Sequence, residues 1–452
     1  MTQQTPPNGM RTFIILWVGQ MISLLGSELN GFALGVWVYQ RTTSVTQFTL
    51  IAVFAAVPSL IISPIAGTLV DRWDRRRVLI VSNILLASNT LIILFLLFNN
   101  QLSIWHIYVL TVTAAIYGAF PLPARAAITP LLISKEQLGR ANGLMQFGQA
   151  GVQILGPALA GIAVVTIGIQ GVMVIDFVSF FAVLLSLLVV RIPRPLISAA
   201  SRAAQGSLLR EMRYGWDYLV ARPGMLTLLL LFAISNFLLG SVVILVTPLI
   251  LSISDPAGLG TVASIAGFGM LVGSVVVMVW GIPKNRILGV LGGSFIGGIC
   301  VIVGGLQPSV LLFALAAFGY MLTVPIVGTC TTVIWQTKVA ADVQGRVFAL
   351  SGMIASITAP LSFLASGPLA DRVFGPLLAV NGALAGSVGR VIGVGPGRGI
   401  GLMFIVMGSL HLIVVALSYL YPRLRNLEAE VPDAITTIAP EESITGATAV
   451  SA

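Results

Sequence analysis

The chain has 452 residues, 57% of them apolar and 9% charged, with a mean hydropathy of +1.01, far outside the range of soluble globular chains. Its net charge of +9 comes from 24 Lys and Arg against 15 Asp and Glu; the cations are spread over the loops between apolar segments rather than gathered on one surface, which argues against a nucleic-acid partner. Two histidines and two cysteines give no basis for a metal centre, a cofactor or a disulfide framework.

A helix needs about 20 apolar residues to cross a hydrocarbon core of roughly 30 Å, and lipid supplies no hydrogen-bond partner to a non-helical backbone. Twelve segments meet this requirement: 13–39, 47–70, 78–98, 104–133, 141–165, 170–190, 225–251, 260–281, 287–305, 309–333, 344–370 and 400–421. Residues 1–12 precede the first, and its apolar run is too long for a cleavable signal. On a helical wheel of span 1, Gln20, Ser23, Ser27 and Asn30 form a polar stripe, and Ile15, Ile22, Leu25, Leu29 and Val36 an opposite, lipid-facing side. Glu28 falls between the two. An ion inside a span costs about 2.5–3.5 kcal/mol on insertion scales, so Glu28 is a candidate for substrate contact or proton exchange, with a structural hydrogen bond as the alternative.

Between spans 2 and 3 the run Gly67-Thr-Leu-Val-Asp71-Arg72-Trp-Asp74-Arg75-Arg76-Arg77 places six ions in a short turn. Cations alone would anchor such a turn to the inner face; Asp71 suggests a contact that opens and closes. Arg125 follows Pro121 and Pro123 in the inner part of span 4, as a functional cation or as a side chain snorkelling to the interface. Span 5 carries Gly148, Gly156-Pro157 and Gly161, where small residues let another helix approach and proline bends the helix. Asp176 lies early in span 6 with Ser179 and Ser186 on its face, as a functional acid or as a charge favoured by the helix dipole.

Residues 191–223 form a basic linker. Leu208, Met212, Trp216 and Leu219 share one face there, which fits an interfacial helix or a solvated link. Two six-helix halves, 13–190 and 224–422, flank it. Gly139-Arg140 matches Gly345-Arg346, and Gly156-Pro157 matches Gly367-Pro368, at nearly one offset, which suggests an internal duplication. The glycine-rich stretch 375–401 reads as a flexible external loop, and 423–452 as a disordered tail. With both termini in the cytoplasm, about nineteen of the 24 Lys and Arg fall in inner segments, the positive-inside bias. Cys300 and Cys330 lie at different depths, too far apart for a bridge.

The 67–77 run resembles the G-x-x-x-D-R-x-G-R-R-[RK] loop of the major facilitator superfamily, with Asp74 in place of the usual glycine. Gly156-Pro157-Ala-Leu-Ala160-Gly161 is similar to the antiporter motif of its drug-exporting branches. Ile175-Asp176, Gly367-Pro-Leu-Ala-Asp371-Arg372 and Gly399-Ile-Gly401 resemble the macrolide-efflux-type drug:proton antiporters. The resemblance implies an all-α, polytopic fold of 12 transmembrane helices in two pseudo-symmetric bundles, acting as a monomer in a bacterial inner membrane. It implies a carrier rather than an enzyme, exporting a bulky amphipathic molecule against protons, with lipid or lysophospholipid movement as the alternative. It further implies that Gly67, Asp71, Arg72, Arg75 and Arg76 gate the inner side, Asp71 facing the start of span 11. A membrane-embedded enzyme or a receptor is the remote reading.

Overall fold

The computed structural model describes residues 9–70, 73–133, 137–190, 216–339 and 341–432. Among them there are helices and no strand. The principal helices are α1 (Gly9–Thr42), α2 (Val45–Val70), α3 (Arg75–Phe98), α4 (Ile104–Gly118), α5 (Pro121–Leu132), α6 (Leu138–Val189), α7 (Pro223–Leu251), α8 (Pro256–Trp280), α9 (Arg286–Leu306), α10 (Val310–Lys338), α11 (Ala341–Pro368) and α12 (Arg398–Leu420). Eleven helices of the described residues are long and apolar enough to span a membrane. The count reconciles with twelve spans through α6, whose 52 residues are broken at Gly168 with φ of +67°. That left-handed conformation is open to glycine at little cost, so span 5 turns directly into span 6 as two arms, 138–167 and 169–189. The opposite happens in span 4, where Pro121 and Pro123 cannot continue a helix ladder and α4 gives way to α5.

Local chemistry sets several starts. Asp74, the residue that departs from the loop signature, accepts from Arg77 N at 3.1 Å and caps α3. Asp255 accepts from Gly258 N at 2.8 Å to start α8, and Asn285 accepts from Leu288 N at 3.0 Å to start α9. Each satisfies a donor that the first turn leaves orphaned.

The end bearing residues 73–77 and 280–286 is called inner, following the charge bias, and the opposite end outer. α1 lies along α6, α8 along α10, and α9 against α12, while α6 meets α8 and α2 meets α11 across the halves. One apolar cluster crosses that seam at the outer end, joining Val36 and Val45 to Leu238, Leu245, Leu259, Ala370 and Phe404. This corrects the helical-wheel reading of α1: Ile15 and Ile22 are exposed, but Leu29 and Val36 are buried. The two halves close over the outer part of α1, and in a membrane protein an apolar side chain suits lipid and helix neighbours alike.

Two further expectations change. Residues 423–432 do not begin a disordered tail. They form α13 (Pro422–Arg425) and α14 (Leu427–Glu430), with Leu424 and Leu427 buried in the inner core of the C-terminal half. Lys338 Nζ donates to the carbonyls of Glu428 at 2.7 Å and Val431 at 2.6 Å, and Arg286 pairs with Glu428 at 3.7 Å. Within 375–397, Leu378 and Ile392 are buried against Leu402, while most of the stretch is partly or fully exposed. Arg398, read as a loop residue, is buried at the head of α12 and donates to the carbonyls of Gly305 and Leu306, each at 2.9 Å. Most of the linker 191–223, including Leu208 and Met212, lies outside the described residues; 216–220 is helical.

Candidate functional site

A cavity of about 520 Å³ lies between the halves. Phe32, Ile154, Val246, Met270 and Phe313 represent its mostly apolar wall, and Gln153, Thr247, Ser274 and Tyr320 its polar groups. Glu28 is the one charged side chain among the described lining residues. Its volume and composition match the usual small-molecule site. Glu28 owes its place to Gly156: a Cβ there would come 2.8 Å from Glu28 Cγ. The carboxylate thus lies over the glycine of α6, next to Pro157, which also lines the cavity. Two sequence candidates, the acid of span 1 and the Gly-Pro pair of span 5, meet at one point. Cys300 faces the same cavity, whereas Cys330 is buried.

Beyond the cavity toward the outer end, the halves touch backbone to backbone. A Cβ on Gly161 would lie 2.6 Å from Pro256 O, and one on Gly260 would lie 2.7 Å from Pro157 O. Only glycines allow α6 and α8 to cross so closely. The second outer contact joins α2 and α11. A π-helical turn, Leu369–Phe374, carries Asp371 to the start of α2, where it accepts from Ser44 Oγ at 2.8 Å, Val45 N at 3.0 Å and Thr46 N at 2.8 Å. A carboxylate from one half therefore caps a helix of the other. Gly367, one turn earlier, leaves room for Thr46: a Cβ there would sit 2.6 Å from Thr46 Cα. Sequence reading gave Asp371 no role. A signal was present, since Gly367-x-x-x-Asp371-Arg372 repeats the spacing of Gly67-x-x-x-Asp71-Arg72.

At the inner end the gating candidates divide. Asp71 and Arg72 lie outside the described residues, and Gly67 is placed only as part of the helical backbone of α2. Arg76 turns toward its own half: Nε donates to Leu187 O at 2.9 Å and Nη2 to Leu188 O at 3.1 Å. It closes the C-terminus of α6, where cations are favoured and free carbonyls need donors. Arg75 has a partner and adjoins Asp74 at the start of α3.

The remaining candidates sit apart from Glu28. Asp176 is buried and accepts from Thr90 Oγ1 at 2.8 Å, Ser27 Oγ at 3.3 Å and Asn30 Nδ2. It ties α6 to α1 and α3, and the polar stripe of span 1 partly serves this acid rather than a substrate. Arg125 faces a separate recess inside the N-terminal half. Gly148 makes room there for Trp17 and Met21. His411 is buried with Nε2 at 3.2 Å from Ser294 O. His106 accepts from Ser103 N at 3.0 Å. Tyr108 donates to Gln47 O at 2.9 Å and fastens α4 to α2.

This arrangement has a central apolar chamber, one carboxylate and a closed outer seam, which suits binding and passage of a molecule. The comparisons agree. The sequence profile described as Major Facilitator Superfamily matches residues 16–363. Macrolide efflux protein A of Streptococcus pyogenes is 27% identical over 373 residues, covering 80% of this chain and 90% of that protein. The multidrug efflux pump Tap of Mycobacterium tuberculosis (strain CDC 1551 / Oshkosh) is 25% identical over 371 residues, covering 79% and 87%. Among solved structures, a bacterial homologue of the human lysosomal transporter Spinster, inward-facing and unoccupied, superposes with a TM-score of 0.70 at 14% identity, covering 94% of this chain and 98% of that one.

Proposed function

Because the chain belongs to the Major Facilitator Superfamily and is therefore a multi-pass membrane transporter rather than an enzyme, we propose that it is a proton-coupled exporter of a bulky amphipathic molecule. The observation that carries this reading is the lone carboxylate of Glu28 in a cavity of about 520 Å³ otherwise walled by apolar and neutral polar groups. The mostly apolar wall suits the hydrophobic face of an amphipathic, drug-like compound. Glu28 neutralises a cationic group on it or takes a proton in exchange. The efflux pumps among its relatives support the export direction.

The transport cycle follows from the two ends of the molecule. The Gly161–Gly260 crossing and the Asp371 cap on α2 hold the outer end shut. At the inner end the proposed counterpart rests on the loop resemblance alone: Asp71 would face the start of α11, Gly67 would allow close approach, and Arg72 and Arg75 would pair with neighbouring acids. Arg76 fixes the end of α6 within its own half. Asp176 holds the N-terminal half together while the halves swing. On this reading the protein works as a monomer in a bacterial plasma membrane with both termini in the cytoplasm.

The test is transport in proteoliposomes with an imposed pH gradient and a panel of amphipathic drugs. Glu28→Gln should bind substrate yet lose gradient-driven accumulation by at least tenfold. Accumulation by E28Q equal to the wild type would remove Glu28 from coupling. Movement of lysophospholipid without a gradient would favour a lipid transporter instead.

A further inference from the structure

Inside the inner part of the N-terminal half is a second cavity, of about 280 Å³, bounded by α1, α3, α5 and both arms of α6. Its walls include Phe13, Leu132 and Leu187, and it is separate from the chamber that holds Glu28. Arg125 lines it. The guanidinium Nε donates to Pro121 O at 3.2 Å, one turn back on its own helix. Among the described residues its two Nη groups have no protein partner and no acid lines the cavity. Trp17 on the same wall buries its Nε1 hydrogen without an acceptor. Gln20 and Gln149 supply further amide groups.

The far side of Trp17 borders a second recess, lined by Met10, Ile14, Arg140, Leu144 and Phe147. Arg140 and Phe147 are exposed there. The two recesses thus share one indole and carry two cations, while the central chamber carries one anion. An arginine within a span normally finds a carboxylate or backbone partners, and Arg125 has one for Nε alone among the described residues. Here a planar fork of donors points into an apolar hollow, beside an unused indole donor. A forked oxyanion matches the guanidinium in two parallel hydrogen bonds, and a hydrocarbon chain matches the wall.

We infer that this hollow is a binding site for a single-chain amphipathic anion, whose carboxylate or phosphate head is held by Arg125 and Trp17 Nε1 and whose chain lies against Phe13, Leu132 and Leu187. The pairs of donors and apolar groups needed are all within the N-terminal half, so occupancy does not depend on the proton-coupled export proposed above. Entry runs past Arg140 from the inner interface, where a basic residue attracts anionic amphiphiles.

The full-length protein in a neutral maltoside detergent can be titrated with 12-bromododecanoate and 12-bromododecyl phosphate, with 12-bromododecyltrimethylammonium as control, reading bromine quenching of tryptophan fluorescence. Saturable quenching by at least one anionic probe at a concentration tenfold or more below that of the cation is expected. Comparison of the two anions separates a carboxylate site from a phosphate site. Trp17→Phe should remove most of the saturable component. Arg125→Gln should raise the half-saturating concentration at least tenfold and Arg125→Lys less. Gln149→Glu, at an exposed wall position, weakens anions without removing the arginine and guards against a folding defect in R125Q. Equal response to anionic and cationic probes, or anion binding unchanged in both R125Q and Q149E, would overturn the assignment.

Discussion

Replacing Asp371 by Asn tests whether the outer cap holds the molecule in its closed-outside posture. Three donors converge on this carboxylate at 2.8–3.0 Å, two of them backbone N–H groups of the first turn of α2. Asparagine keeps one oxygen but loses the charge and sets an NH₂ against those donors. A charge at a helix N-terminus contributes about 0.3–1 kcal/mol, and up to about 2 kcal/mol when partly buried. A hydrogen bond to a charged group is worth about 1.5–3 kcal/mol against roughly 0.5–1.5 kcal/mol for a neutral one. A loss near 2 kcal/mol is therefore expected, on the order of thirtyfold in an equilibrium constant. Because the contact joins the two halves, the loss falls on the closed-outside state and shifts the population toward outward-open. Spin labels at Asn100 and Ser387, both exposed, in a background lacking Cys300 and Cys330, report the outer separation by pulsed electron resonance. D371N should move most of the distance distribution to the longer peak. A shift of less than threefold would show that the carboxylate does not set the posture, and the reasoning from the cap would fail.

Gly260→Leu inserts side-chain bulk where even a Cβ lies 2.7 Å from a backbone oxygen. The same labels should report an outer end that no longer closes, and transport should fall at least tenfold with expression retained. Lys338→Ala removes the donor to two tail carbonyls, each bond to a charged group being worth about 1.5–3 kcal/mol. Trypsin should then cut after Arg423 or Arg425 at least tenfold faster than in the wild type, while unchanged cutting would show that Leu424 and Leu427 hold the tail unaided.

The spans were legible because a membrane imposes a length on apolar helices, and the starts at Asp74, Asp255 and Asn285 follow ordinary capping. Depth within the bundle was not. Leu29 and Val36 are buried while Ile15 and Ile22 are exposed, and hydropathy cannot separate these cases when lipid and protein are equally apolar. Glu28 stood out as an ion in a span, yet its partner Gly156 required knowledge of which helices touch. Asp176 stood out equally and proved to be ringed by Thr90, Ser27 and Asn30. The order of 423–432 is not legible in the sequence because Lys338 binds tail carbonyl groups, which every residue carries and no composition reveals. Asp371 was hidden by its neighbours: in sequence it is one acid before an external loop, and its meaning comes from the N-terminus of a helix 326 positions away from it.

The placement of Asp371 also ties the molecule to the medium outside. When the outer end parts, the carboxylate and the first amides of α2 are released together into bulk solution, where water and dissolved ions replace what each has lost. Screening over roughly 10 Å at 0.1 M salt acts on the parted groups far more than on the packed ones. With the proposed orientation, the external electrolyte is expected to act as a weak effector of the resting posture, without needing a pocket of its own.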